Sequence, residues 1–287
     1  MAERRVGTGG RLRHDRRVLI GYAVAAVAIF VIFLIGRFPY AEALSAVLAP
    51  SGLKLNYQAQ RFSLPFGVEL DDVRLSPAGA ALGPPIVQSR QMTLAPTLSA
   101  LLLGRVAVRV RAELYDGLVH ATLTRVGDLL DVDFDLHDLE LARWQGPDLM
   151  RLPVDGLLSG QGDVMLDRRD FLADSGHVEF SGKRLTMRFT SMMPPVRFDN
   201  LNGTLSIDRG LVKIEKLDGH GADMALTAQG AIHLARDLRE STVDLTFALE
   251  PTEQGRSRLA LLLAILPHPP GPQPYTLRGP IRFPLIS

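Results

Sequence analysis

The chain of 287 residues contains no cysteine. That absence excludes disulfide staples, thiolate zinc sites, a cysteine nucleophile and a lipid-modified cysteine. Lysine is scarce: Lys54, Lys183, Lys213 and Lys216 are the whole complement, and every other basic side chain apart from histidine is arginine. Histidines at the paired spacing of a helix-borne zinc site are missing as well, since His14, His120, His137, His177, His220, His233 and His268 all stand far apart. The net charge of +1 hides an asymmetry, because the first 37 residues hold seven arginines against Glu3 and Asp15. The remainder is therefore mildly acidic. Such a body lacks the clustered positive charge that phosphate backbones require, so no nucleic-acid partner is expected.

Long apolar runs are also rare, with one exception. Val18 to Ile35, "VLIGYAVAAVAIFVIFLI", holds 18 residues without a charge. As a helix it covers about 27 Å, close to the hydrocarbon thickness of a bilayer. Val18, Ile20, Val24, Val27, Phe30, Phe33 and Ile35 are the expected anchor residues. The arginines precede the run, so residues 1–17 should stay in the cytoplasm as a basic tail, with everything after the helix exported. A cleaved signal peptide is the competing reading, and "AEA" at Ala41 to Ala43 offers small residues in a cleavage-like pattern. The apolar run is longer than the usual signal core of about 7 to 15 residues, which favours a retained anchor. No second run reaches spanning length, because "LALLLAIL" at 259–266 stops at Pro267. The expectation is a single-pass protein of the bacterial inner membrane with its C-terminal body in the periplasm.

Past a short amphipathic connecting segment at 36–52, the period changes from helical to alternating. "LKLNYQAQRFSL" and "VELDDVRLSP" flank a Pro65-Phe66-Gly67 turn in the manner of a hairpin, and about a dozen similar runs follow, most bounded by Gly, Asn, Asp or Pro. Residues 53–287 are therefore predicted to be mainly β: an extended, twisted, largely antiparallel sheet, or else two sandwiches, with one greasy and one wet face. Two short helices are expected, one in "PTLSALLLG" and one from Thr252 to Pro267, closing or covering ends of the sheet. If the body divides, the boundary falls near 192–196.

Chemistry is hard to find. In "LLDVDFDLHDLEL", Leu129 to Leu141, Asp131, Asp133, Asp135 and His137 recur at every second position. A strand puts all four on one face, with Leu130, Val132, Phe134 and Leu136 on the other. An oxygen-rich calcium loop needs a turn glycine and a distal glutamate that this run lacks, so the wet side of a strand is the preferred reading. The alternation slips between His137 and Asp138, which predicts a bulge or a strand end. "GHVEFSGKR" has the wrong glycine spacing for a phosphate loop, and no serine sits in a nucleophile elbow. "DGHGAD" at 218–223 and Asn202-Gly203 both read as turns. No catalytic, metal or cofactor-binding residue is assigned, and an enzyme is not expected; an exported hydrolase would need a convergent polar pocket.

The order of an N-terminal anchor, "RFSLPFGVELDDVRL" and "TLAPTLSALLLGRVAVRVRAELYDGLVHATL" resembles component N of bacterial type II secretion systems, the general secretion pathway protein N, in its deltaproteobacterial-type branch. "VRFDNLNGTLSIDRGLVKIEKLDGHGADMALTAQGAIHL", "LRESTVDLTFALEP" and "YTLRGPIRFP" are similar both to that component and to AsmA-like envelope proteins. The family's usual Gly-Thr near the final strand is Gly279-Pro280 here, and proline cannot donate to a ladder. The resemblance implies an inner-membrane-anchored periplasmic protein that supports protein transport by non-covalent contact with other secretion components. The alternative is an AsmA-like lipid-handling protein for outer-membrane maintenance. In that case Val106, Val108, Val110, Val132, Phe134 and Leu136 would line an open apolar face; closure of that face by a second sheet would favour a protein scaffold instead.

Overall fold

The computed structural model describes residues 42, 44, 45 and 53–287, apart from 64–66, 78–84, 86, 98, 101, 102, 104, 145–153, 168, 169, 189–193, 238, 239, 272 and 282. The expected anchor at 18–35 and the basic tail lie outside the described residues. Of the connecting segment, Glu42, Leu44 and Ser45 are helical. No helix among the described residues is long and apolar enough to cross a membrane.

Fifteen strands form one antiparallel sheet. They are β1 (Leu53–Asn56), β2 (Ala59–Ser63), β3 (Gly67–Pro77), β4 (Val87–Pro96), β5 (Ala107–Leu114), β6 (Gly117–Val126), β7 (Leu129–Glu140) and β8 (Val154–Asp167). The series continues with β9 (Ser175–Met187), β10 (Val196–Asp208), β11 (Leu211–His220), β12 (Met224–His233), β13 (Thr242–Pro251), β14 (Tyr275–Pro280) and β15 (Leu285–Ile286). From β3 onward each strand pairs with the next, while β1 and β2 lie end to end along the outer edge of β3. The first expected hairpin thus has one arm broken in two at Tyr57 and Gln58. The body is a single sheet, not two sandwiches, and the ladder between β9 and β10 runs from Val196↔Met187 to Asp208↔Ser175, continuous across the segment considered as a boundary.

Local chemistry explains the tight returns. Tyr115 and Asp116 link β5 to β6 with φ of 50° and 60°, and Arg209 and Gly210 link β10 to β11 with φ of 48° and 78°. Two central residues with positive φ make the mirror-image turn whose twist matches that of the flanking strands. The slip at Asp138 is a bulge: its φ is 48°, and the register shifts between Leu136 and Leu139. The extra residue returns Leu139 to the apolar face. Asn202-Gly203, expected as a turn, lies instead in the middle of β10. A Cβ on Gly203 would stand 2.3 Å from Cζ of Phe180. The glycine is there to let that ring lie across the sheet, which is a packing role and not a turning one. Pro280 is the final residue of β14, opposite Thr242, where a missing donor costs the ladder little.

In the first expected helix, Ser99 and Ala100 are helical. The second is two helices, α1 (Glu253–Arg258) and α2 (Ala260–Ala264), separated at Leu259 with φ −101° and ψ 15°. The apolar face carries three buried clusters. One joins Val68, Leu70, Leu94 and Val110 on β3–β5, with Leu44 packed against it. A second joins Ala112, Leu114 and Leu139. The third joins Leu185, Val196, Phe198, Leu201 and Met224 beneath Leu259, Leu262 and Leu263 of the helical segment.

Candidate functional site

Residues directly opposite in an antiparallel ladder share a face, so the register assigns every strand position to one side of the sheet. Two cross-strand rows run over the apolar side from β7 to β13. One is Val132, Val164, Gly176, Ile207, Val212, Ile232 and Val243. The next is Phe134, Gly162, Val178, Leu205, Ile214, Gly230 and Leu245. β-branched residues dominate the first row, as suits a pleated surface. The large side chains in these rows other than Val243 are half-buried, and none belongs to any of the three clusters. Among the described elements, extensive contacts join ladder neighbours or the short helices at the strand ends, so no second sheet lies over these rows. Six spacings of about 4.8 Å give the strip a length of about 29 Å.

Relief along the face comes from glycine and alanine set beside aromatic rings. Phe134 lies between Ala121 and Gly162, Phe180 between Gly160 and Gly203, and Phe247 faces Ala228. A Cβ on Gly162 would come within 2.9 Å of the Phe134 ring. The Phe134 and Phe180 rings therefore lie down over the neighbouring strand instead of standing up, while the Phe247 ring stacks on Tyr275.

The other half of the same face is closed by a small device that the sequence pattern does not announce. Asp223, only 1% exposed, accepts from the backbone N–H of Arg197 at 2.9 Å and from the Arg258 guanidinium at 2.5 Å. The same guanidinium donates to the carbonyl of Pro195. The Asp223 carbonyl accepts the N–H of Thr252, whose hydroxyl caps α1 by accepting from Gly255 N–H at 2.9 Å. A Cβ on Gly255 would sit 1.7 Å from that carbonyl oxygen, so only glycine allows α1 to approach this closely. The segment 218–223, expected as a turn, holds the end of β11 to His220 and then the turn, and Asp223 in it is a buried clamp. At the far end of the face Tyr275 is fully buried, stacks on Phe247 at 5.2 Å and His268 at 4.2 Å, and donates its hydroxyl to the carbonyl of His268. Burial pushes its phenol pKa above the usual value.

The polar face carries Asp131, Asp133, Asp135 and His137 together, as the alternation requires. Asp133 stands opposite Thr122 on one side and Asp163 on the other, and His137 Nε2 lies 3.2 Å from Asp135. A shallow depression of about 530 Å³ gathers His120, Asp133, Asp135, Asp163, His177 and Glu179. Among the described residues no three histidine or carboxylate side chains converge as metal ligands. A row of solvated charges on a strand gives cross-strand pairing and solubility.

The six residues expected on an apolar surface are divided by the structure. Val108, Val110, Val132, Phe134 and Leu136 do share one face through the register. Val110 is 8% exposed in the first cluster with Val108 packed against it, Leu136 packs against Leu139 and its neighbours, and Val106 is 56% exposed ahead of β5. Only Val132 and Phe134 belong to the open strip. Comparison with protein-family profiles, with curated proteins and with solved structures returns no match for this chain.

Proposed function

We infer that the protein works by contact, holding the acyl part of a lipid against the open strip of its sheet while its N-terminal run tethers it to the inner membrane. The observation that supports this reading is the pair of apolar rows between β7 and β13, over which no second sheet lies among the described residues. A partly solvated apolar face of this length is a standing cost that something apolar lying on it would relieve. One leaflet of a bilayer is about 15 Å of hydrocarbon, so the strip is long enough for a whole acyl chain. On this reading the body is a periplasmic β domain of the AsmA-like kind, and no catalytic group is needed.

A second reading, component N of a type II secretion system, keeps the support of the sequence resemblance. It is favoured by one structural feature: among the described residues β1 and β2 pair only with β3, which leaves an outer strand edge for another chain to extend. A single experiment separates the two. The full chain is captured from detergent-solubilised envelopes, and the eluate is read for phospholipid and for secretion proteins, using wild type and Leu205→Asp. Lipid holding requires phospholipid that the variant no longer retains. Secretion proteins recovered equally by both, with no difference in lipid, would overturn the lipid reading in favour of the second.

A further inference from the structure

We propose that Arg125 gives the strip a preference for lipids with a net negative headgroup; this rests on the reading that the strip holds an acyl chain. Across the whole ladder, Arg125 is the one charged side chain among the described residues that the register places on the apolar face. It stands on β6 opposite the buried Leu130, one pair outside the Leu123–Val132–Val164 row, of which Leu123 packs against the first cluster while Val132 and Val164 belong to the open strip. Its Nε donates to the carbonyl of Gly127 at 3.1 Å, which holds the guanidinium at the margin of the sheet. No described carboxylate pairs with it. The terminal nitrogens are left facing solvent beside the beginning of an apolar track.

That arrangement matches an amphiphile in charge and in length. A guanidinium offers a fork of donors suited to phosphate oxygens, and it binds them more strongly when no carboxylate competes. With the headgroup at Arg125, the acyl chain would run across Val132 and Val164 toward β13. The path from β6 spans about 34 Å at 4.8 Å per strand, more than a single acyl chain requires. A phosphate is present in zwitterionic lipids as well, but their ammonium group cancels its charge. One exposed arginine at a rim therefore discriminates on net charge, with an effect that added salt weakens.

The full chain in non-ionic detergent is titrated with fluorescent phosphatidylglycerol and with fluorescent phosphatidylcholine bearing the same acyl chains. The expected result is about tenfold tighter binding of phosphatidylglycerol. That preference disappears in Arg125→Gln, where binding of phosphatidylglycerol falls about tenfold more than binding of phosphatidylcholine, and is partly kept in Arg125→Lys. Equal affinity for the two lipids, or a preference that survives Arg125→Gln, overturns the role of Arg125 while leaving the strip as an acyl site. Failure of both lipids to bind wild type overturns the acyl site itself, and with it this inference. Thermal melts of the variants establish that folding is unchanged, as an exposed arginine at a strand end requires.

Discussion

Leu201 and Leu205 stand on the same strand, face the same way and follow the same alternation, yet their surroundings differ. Leu201 is 7% exposed and packs with Leu185 and Phe198 in the cluster beneath the helical segment. Leu205 lies between Val178 and Ile214, half-buried, in no cluster. The hydropathy of β10 is therefore uniform while its role changes along its length. The change is made elsewhere, by Asp223, Arg258 and Gly255, which seat α1 and α2 on one half of the face and leave the other bare. A buried core and a partly exposed apolar surface are here two ends of one row of residues, and the clamp decides which is which.

The comparison can be broken most forcefully at the clamp. Asp223→Ala leaves the Arg197 N–H without its acceptor and Arg258 with the Pro195 carbonyl alone. Removing one partner of a buried pair costs about 3 to 5 kcal/mol, and because Arg258 keeps 26% of its side chain exposed the expected loss is about 3. Urea unfolding measures it, and hydrogen exchange should show the ends of β9, β10 and β12 opening first.

Next in size is the leucine pair itself. Leu201→Ala should cost about 3 kcal/mol, the usual price of a buried leucine, while Leu205→Ala should cost about 1 or less because its site is already half solvated. Equal losses in parallel denaturation curves would mean that the two environments are the same and that the strip is core. Gly203→Ala tests the relief of the face: the added methyl meets the Phe180 ring, and overpacking of this kind costs about 1 to 3 kcal/mol. Phe180→Leu in the same chain should recover much of that loss.

The smallest effect concerns a turn on the open side. Burial, then the nearby Asp167 and Asp170 carboxylates, raise the Asp174 pKa above its usual value. The folded state therefore binds this proton more tightly than the unfolded chain, and stability tied to Asp174 increases as pH falls through its raised pKa toward the ordinary carboxylate value. Asp174→Asn keeps the oxygen that accepts the Asp167 N–H at 2.8 Å. It should raise Tm slightly at neutral pH, with the gain fading as the medium becomes acid enough to protonate the aspartate. A gain that grows in acid would reverse the assignment.

How much of this was legible beforehand follows from the range over which each signal acts. Alternation is local, so strand existence, the polar side of β7 and the bulge after His137 could be read directly from "LLDVDFDLHDLEL". Turn glycines act over two residues, and Gly210, with φ of 78°, ends β10 in this way. Gly203 was misread because its glycine answers to Phe180 on another strand, and no local rule sees across a ladder. Asp223 and Arg258 are 35 residues apart in sequence and meet only when β10, β12 and α1 are in place. The split of Val108, Val110 and Leu136 from Val132 and Phe134 was hidden for the same reason, since what covers a residue is a tertiary fact.

The absence of native cysteine allows the open strip to be probed with a single thiol. Leu205→Cys and Leu201→Cys are each treated with a water-soluble maleimide in the folded full chain, before and after addition of phospholipid. If the strip is open and holds acyl chains, the position-205 thiol reacts rapidly and is protected by lipid, while the position-201 thiol reacts only on unfolding. Equal slow reaction at both positions without lipid would show the face to be closed and would contradict a lipid-holding sheet.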